Sequence, residues 1–252
     1  MSNRGIVLEV ENLHYAYADR QAVCGASFRI HSGEIFGFLG PNGAGKTTTI
    51  GCVSGLRAHW QGEIRFRQRP FRPARRSEDR GKLGVVPQEL ALYEGLTGRE
   101  NLQFFGRLSG LKASRLREAV DRALELAGLA ERADEPVTRY SGGMKRRLNF
   151  AVGDLHQPEL LLLDEPTAGV DPQSRGHLFE ALRSLRQSGR SLLYTTHYME
   201  EAQRLCDRVA IMNEGSVVAV GTPDELAADA GIPGADLEAV FLQLTGRSLR
   251  DG

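Results

Sequence analysis

Hydrophobic and polar positions change period several times along the chain, and each period assigns an element. Residues 6–10 and 26–30 alternate as half-exposed strands, and residues 12–17 between them end in aromatic side chains. An apolar run at 34–39 precedes a glycine-rich segment, after which 48–56 reads as a helix ended by Gly55. Residues 62–67 alternate as a strand, and 82–86 form a short buried one. Thr97 and Glu100 have the spacing of a capping box that starts a helix over 101–108. Ser114 is read as the cap of the next helix, whose Leu116, Val120, Ala123, Leu124 and Ala127 share one face up to Gly128. Residues 136–140 read as a linker into a helix over 144–155, and the unbroken apolar run 160–163 reads as a parallel strand covered on both faces. Asp171 and Pro172 start a helix with Leu178, Phe179, Leu182 and Leu185 on its buried side, and 191–196 is another buried strand. A hairpin over 209–220, a Thr222-capped short helix, a hinge at 232–235 and an amphipathic helix over 237–244 close the chain. Buried strands alternating with helices make this an α/β fold.

The glycine-rich segment carries the first chemistry. Gly40, Pro41, Asn42, Gly43, Ala44, Gly45, Lys46, Thr47 and Thr48 form a phosphate-binding loop between a strand and a helix. Backbone N–H groups of such a loop point inward, and the helix that follows adds its positive end, so the loop favours a polyphosphate. Lys46 reaches the β- and γ-phosphates as a point charge, and the Thr47 hydroxyl takes one position on Mg²⁺.

Further candidates sit at the ends of the buried strands, where ligands of open α/β sheets collect. Asp164 and Glu165 end the run at 160–163: Asp164 holds Mg²⁺ directly or through water, and Glu165 polarises an attacking water. Gln88 closes the strand at 82–86, and His197 ends the strand at 191–196 within reach of a γ-phosphate. Tyr17 is exposed enough to stack on a flat ligand. Ser141, Gly142 and Gly143 open a helix with a hydroxyl and two residues without side chains, a second anion site. That helix end is either an ordinary cap or belongs to another nucleotide. Leu90, Leu92, Tyr93 and Leu96 make an apolar surface loop that either docks a partner or packs under the helical lobe.

Composition narrows the partners rather than the chemistry. At 252 residues, 41% hydrophobic and 25% charged, the chain fits one α/β domain or two small lobes. Lys plus Arg and Asp plus Glu are both 32, so no overall basic field argues for nucleic acid. The arginines at 69, 72, 75, 76 and 80 lack interleaved aromatics and read as a solvated loop. Cys24, Cys52 and Cys206 are scattered, which fits buried thiols in a reducing compartment and no structural zinc. The first ten residues lack the apolar core of a signal peptide, and no run approaches the ~20 residues that span a bilayer, so a membrane role requires a separate membrane protein.

Taken in order, the phosphate loop, Gln88, Ser141-Gly-Gly-Met144, the strand ending Asp164-Glu165-Pro166, the turn at 168–171 and His197 resemble an ATP-binding cassette (ABC) ATPase from about residue 8 to 225. The stretches Gly169-Val-Asp-Pro-Gln-Ser-Arg175, Thr195-Thr-His-Tyr-Met-Glu-Glu201 and 237–249 resemble the cassettes of ABC-2-type exporters of the drug-resistance and nodulation groups. The resemblance implies a P-loop nucleotide hydrolase with a mostly parallel core sheet, an N-terminal antiparallel β subdomain and an α-helical signature subdomain. One nucleotide-binding domain then covers 1–252: about 1–90 and 156–225 as catalytic core, about 91–155 as helical subdomain and 226–252 as a C-terminal tail. It implies ATP and Mg²⁺, Tyr17 on adenine, Gln88 linking Mg²⁺ and the lytic water to a permease, Glu165 as general base and His197 as γ-phosphate sensor. Ser141 to Gly143 would touch the ATP of an opposite subunit in a homodimer or paired cassette, which answers the question of the second anion site. Tyr140, where leucine is commoner, and the Gly-Val-Asp turn are mild departures that leave the chemistry untouched. The implied function is ATP hydrolysis that powers export through a separate integral membrane permease, at the cytoplasmic face of the cell membrane and with no nucleic acid partner. The alternatives are a soluble ABC ATPase acting on ribosomes or DNA, which usually has two cassettes or a coiled-coil insertion, and a regulatory module, which often lacks the carboxylate at Glu165.

Overall fold

The structure, a computed structural model, describes residues 5–246. Strands β1 (Ile6–Tyr17) and β2 (Arg20–His31) are followed by β3 (Ile35–Leu39) and helix α1 (Lys46–Ser54). Next come β4 (Gln61–Phe66), β5 (Arg69–Pro70), the single turn α2 (Ser77–Arg80) and β6 (Leu83–Val86). A helical stretch holds α3 (Gly98–Leu108), α4 (Ala113–Leu126) and α5 (Gly142–Asp154), with 3₁₀ turns at Ala130–Arg132 and Val137–Arg139. The chain then returns through β7 (Leu160–Asp164), α6 (Pro172–Gln187), β8 (Ser191–Thr196) and α7 (Met199–Leu205). It ends in β9 (Arg208–Asn213), β10 (Ser216–Gly221), α8 (Pro223–Asp229) and α9 (Leu237–Thr245).

A four-stranded sheet has the order β2-β1-β4-β5, and a six-stranded sheet the order β10-β9-β3-β8-β7-β6. Within the larger sheet β9, β3, β8, β7 and β6 run parallel, and β10 turns back antiparallel to β9. Every residue of β3, β7 and β8 is buried, which is why their apolar residues, 35–39 around Gly37, 160–163 and 192–194, follow one another without alternating with exposed polar ones. Phe28, Phe36 and Phe38 pack edge-on or stacked between the two sheets, with Ile50 and Val53 of α1 in the same core. Each buried phenylalanine contributes about 1.5–3 kcal/mol by leaving water. On the other face Leu178, Phe179, Leu182 and Leu185 of α6 join α7, α8 and α9 over Leu161, Leu163 and Tyr194. The helices α3, α4 and α5 bury a third core around Leu102, Val120 and Leu148.

Local readings differ from the structure at several element ends, and four of the differences have a physical reason. Residues 12–17 belong to β1, which pairs with β2 through register shifts, and Asn12 at φ 49° absorbs one of these irregularities. Helix α1 begins at Lys46, inside the phosphate loop. Lys112 rather than Ser114 precedes α4, and among the described residues no side chain caps that helix. Residues 199–205 form α7, where Met199, Ala202 and Leu205 lie on the buried side, too short a run for its period to stand out.

Candidate nucleotide site

Strand order builds the site. Because β8 lies between β3 and β7, with Leu39 opposite Thr196 and Asp164 opposite Thr195, the phosphate loop, the strand-end carboxylates and His197 emerge side by side. The loop itself is pressed against β2. Gly45 is the N-cap of α1 at φ 101°, and a Cβ there would lie 2.5 Å from the Ala22 carbonyl oxygen, so only glycine fits. Among the described residues no side chain caps α1. Its first amides and its positive end are therefore left for an anion.

Two buried clusters follow. Lys46 Nζ donates to the carbonyls of Gly40 at 2.7 Å and Pro41 at 3.1 Å, and pairs with Glu165 Oε1 at 3.2 Å. Burial pushes the Lys46 ammonium below its usual pKa, with Glu165 and Asp164 opposing the shift. Asp164 Oδ1 accepts from Thr195 Oγ1 at 2.7 Å and from Thr47 Oγ1 at 3.1 Å. Burial raises the Asp164 carboxyl above its usual range despite those two hydroxyl donors. Glu165 sits at φ 44°, uncommon for a residue with a side chain. Its N–H donates to Thr195 Oγ1 at 2.9 Å, and its Oε2 stands 3.1 Å from His197 Nδ1. Lysine, glutamate and histidine thus form one continuous chain of contacts. The Thr47 and Asp164 corner offers hard oxygen donors of the kind Mg²⁺ takes, and Gln88 lines the same cleft.

That cleft has a volume of about 910 Å³ and is lined by Tyr17, residues 41–48, Gln88 and Glu165. Gly40 lies beneath it as an acceptor for Lys46. Tyr17 is 41% exposed, and its hydroxyl is 3.3 Å from Thr48 Oγ1. Arg146 of α5 donates to the Gln88 carbonyl, tying the Gln88 loop to the helical lobe. Ser141, Gly142 and Gly143 are not brought to this cleft. Ser141 caps α5 by accepting from the Met144 N–H at 3.2 Å, and Ser141 and Gly142 are exposed. Gly143 is buried, and a Cβ on it would fall 2.0 Å from Ser174 Oγ at the start of α6.

Comparison with known proteins assigns this arrangement to a family. The sequence model described as ABC transporter matches residues 23–168, more than half of the chain. The chain belongs to the ABC transporter family. It is 44% identical over 225 residues to the linearmycin resistance ATP-binding protein LnrL of Bacillus subtilis (strain 168), covering 89% of this chain and 72% of that one. It is 45% identical over 225 residues to the Nod factor export ATP-binding protein I of Sinorhizobium fredii (strain NBRC 101917 / NGR234), covering 89% of this chain and 65% of the relative. The ATP-binding subunit of an ABC transporter superposes with a TM-score of 0.85 at 31% identity, over 95% of this chain and 99% of that chain. The chain is thus an ABC ATPase cassette that binds nucleotide.

Several residues of the ABC cleft escape a reading by motif. Thr195 touches both Asp164 and the Glu165 N–H, yet only the pairing of β7 with β8 reveals it. The Arg57 guanidinium lies 5.1 Å from the centre of the Tyr17 ring. Arg20, Gln21, Asn213, Gly215 and Phe241 line the cleft from three distant parts of the chain, and no local spacing connects them.

Proposed function

We propose that this cassette hydrolyses ATP to ADP and phosphate and powers export through a separate membrane permease of the ABC-2 type. The contacts Lys46–Glu165–His197, beside the Thr47–Asp164 corner and beneath one cleft, are the observation that carries the reading. Lys46 binds the β- and γ-phosphates. A phosphate that takes its ammonium releases Glu165, which then serves as general base on water while His197 orients its carboxylate and senses the γ-phosphate. Tyr17 stacks on adenine. Thr47, Asp164 and Gln88 hold Mg²⁺, which when bound neutralises charge on the transferring phosphoryl group. The hydroxyl of Thr195 keeps Asp164 and the Glu165 backbone in register.

Two chains pair head to tail, so that Ser141 to Gly143 of each face the nucleotide of the other; the exposure of Ser141 and Gly142 away from the chain's own cleft supports this. Export is supported by the relatives named for export and resistance. The permease of this reading is a separate protein, and the cassette works against the cytoplasmic face; among the described residues no helix is long and apolar enough to cross a membrane. Leu90, Tyr93 and Phe104 are exposed, with the ring centres of Tyr93 and Phe104 4.8 Å apart in an edge-on pair, and supply the apolar surface that meets the permease. Residues 1–252 act as one domain, with 91–155 as the helical subdomain; of these, 1–4 and 247–252 lie outside the described residues. The decisive experiment is Glu165→Gln in purified protein: turnover should fall about 10²–10⁴-fold, the worth of a general base, while ATP stays bound and light scattering reports a dimer. Normal turnover in that variant would refute the assignment.

A further inference from the structure

Glu201 lies on α7, four residues past His197, and is not part of the cleft wall. It is 3% exposed, yet it carries a carboxylate. Its Oε2 accepts three hydroxyls: Tyr194 at 2.7 Å, Thr167 at 2.8 Å and Thr196 at 3.0 Å. Its buried Oε1 accepts no hydrogen bond among the described residues, and the Arg175 guanidinium of α6 stands 3.5 Å from it. Burial, and then the charge of Glu201, hold the Tyr194 phenol well above its usual pKa, so that hydroxyl stays a donor. Desolvating a carboxylate is costly, and apolar side chains filling the same space are often as stable or more so. Stability alone is therefore a weak reason for a glutamate here.

The partners suggest a better one. Thr167 lies two residues beyond Glu165, and Thr196 immediately precedes His197. Thr196 Oγ1 also accepts from the Tyr198 N–H at 2.9 Å, which closes the turn that carries His197. The two arms that present the Glu165 and His197 pair are thus fastened to one buried oxygen. Arg175 follows Ser174, the residue that abuts Gly143 at the start of α5. We propose that Glu201 is a positioning residue for hydrolysis: its carboxylate fixes Thr167 and Thr196, and through them the alignment of Glu165 with His197, and through Arg175 it steadies the first turn of α6 against α5. This rests on the ATPase reading above.

The test is steady-state hydrolysis and ATP binding by the purified full chain carrying Thr167→Val, Glu201→Gln, Glu201→Ala or, at the exposed neighbour, Glu200→Ala. Thr167→Val removes one donor from Oε2 and should lower kcat about 3–10-fold, the worth of one buried hydrogen bond, with KM for ATP within about twofold. Glu201→Ala should fall further, and Glu201→Gln, which keeps an acceptor oxygen, should recover part of that loss; Glu200→Ala should match wild type. Assays well below each variant's melting temperature separate misalignment from unfolding. Should Glu201→Ala fail to fold, Thr167→Val and Glu201→Gln decide alone. Wild-type kcat in both of those, beside an active wild-type protein, overturns this proposal only. A wild-type protein without hydrolysis overturns the ATPase reading and this proposal with it.

Discussion

Two helix N-termini in this molecule are built from similar residues and left in very different surroundings. The start of α1 is enclosed: Lys46 is 5% exposed, Asp164 and Glu165 lie beside it, and Thr47 and the loop face a common cleft. The start of α5 is open: Ser141 and Gly142 are exposed, and the Ser141 hydroxyl accepts from its own helix. Both ends carry a positive dipole, but a dipole at an exposed end is worth only about 0.3–1 kcal/mol. An enclosed end with a lysine, a hydroxyl and carboxylates can bind and process a nucleotide; an open one needs a second surface to make a site. The contrast gives a physical reason for the proposed pairing of two chains.

The strongest way to break that contrast is complementation. Lys46→Ala should abolish turnover by disabling the enclosed end, and Gly142→Asp should lower it about 10²-fold by setting a carboxylate where a phosphate approaches the open end. In a head-to-tail pair, mixing the two variants creates dimers with one site doubly damaged and the other intact. With random exchange and independent sites, the equimolar mixture should recover roughly a quarter of the wild-type rate. A mixture showing only the sum of the two residual rates would mean that each chain works alone.

Much of the enclosed end is legible in the sequence because its signals are local. The loop from Gly40 to Thr47 is contiguous, Asp164 and Glu165 follow directly on an apolar run, and the Thr97, Asp171 and Thr222 caps act on residues three positions away. What stays hidden depends on pairing. Thr195 meets Asp164 only because β7 and β8 align in parallel, and Phe241 reaches the cleft from the other end of the chain. Burial of Gly143 is hidden for the same reason. Its neighbour Ser174 lies 31 residues on, so a spacing argument treats Gly142 and Gly143 as equivalent when only one of them is packed.

Stability separates those two glycines. A Cβ at position 143 would sit 2.0 Å from Ser174 Oγ and 2.9 Å from Asp171 Oδ2, whereas one at position 142 meets nothing within 4 Å. Gly143→Ala should therefore cost about 1–3 kcal/mol through overpacking. At about 2–4 °C per kcal/mol for a chain of this size, thermal unfolding should come several degrees lower. Gly142→Ala, which exchanges the poorest non-proline helix former for the best, should leave the melting temperature unchanged or raise it slightly. Equal shifts in both variants would erase the distinction between a packed and an open start of α5.

The smallest effect concerns the electrostatic cost of enclosure. Burial raises the folded pKa of Asp164 above its ordinary value of 3.8, so between those two values the folded state binds more protons than the unfolded one. That component of stability is fully present below pH 3.8 and is lost as pH rises through the folded pKa. Asp164→Asn removes the titration and keeps an oxygen able to accept from Thr47 and Thr195. Denaturant unfolding in a pH series should show wild-type stability, relative to the variant, declining as pH rises from the acid side, and the variant at least as stable at neutral pH. Turnover should be lost all the same, because the carboxylate assigned to Mg²⁺ is gone. Such a pairing of gained stability with lost activity would mark the enclosed end as built against its own electrostatic cost. The open end, with no buried charge at Ser141 or Gly142, should show no counterpart.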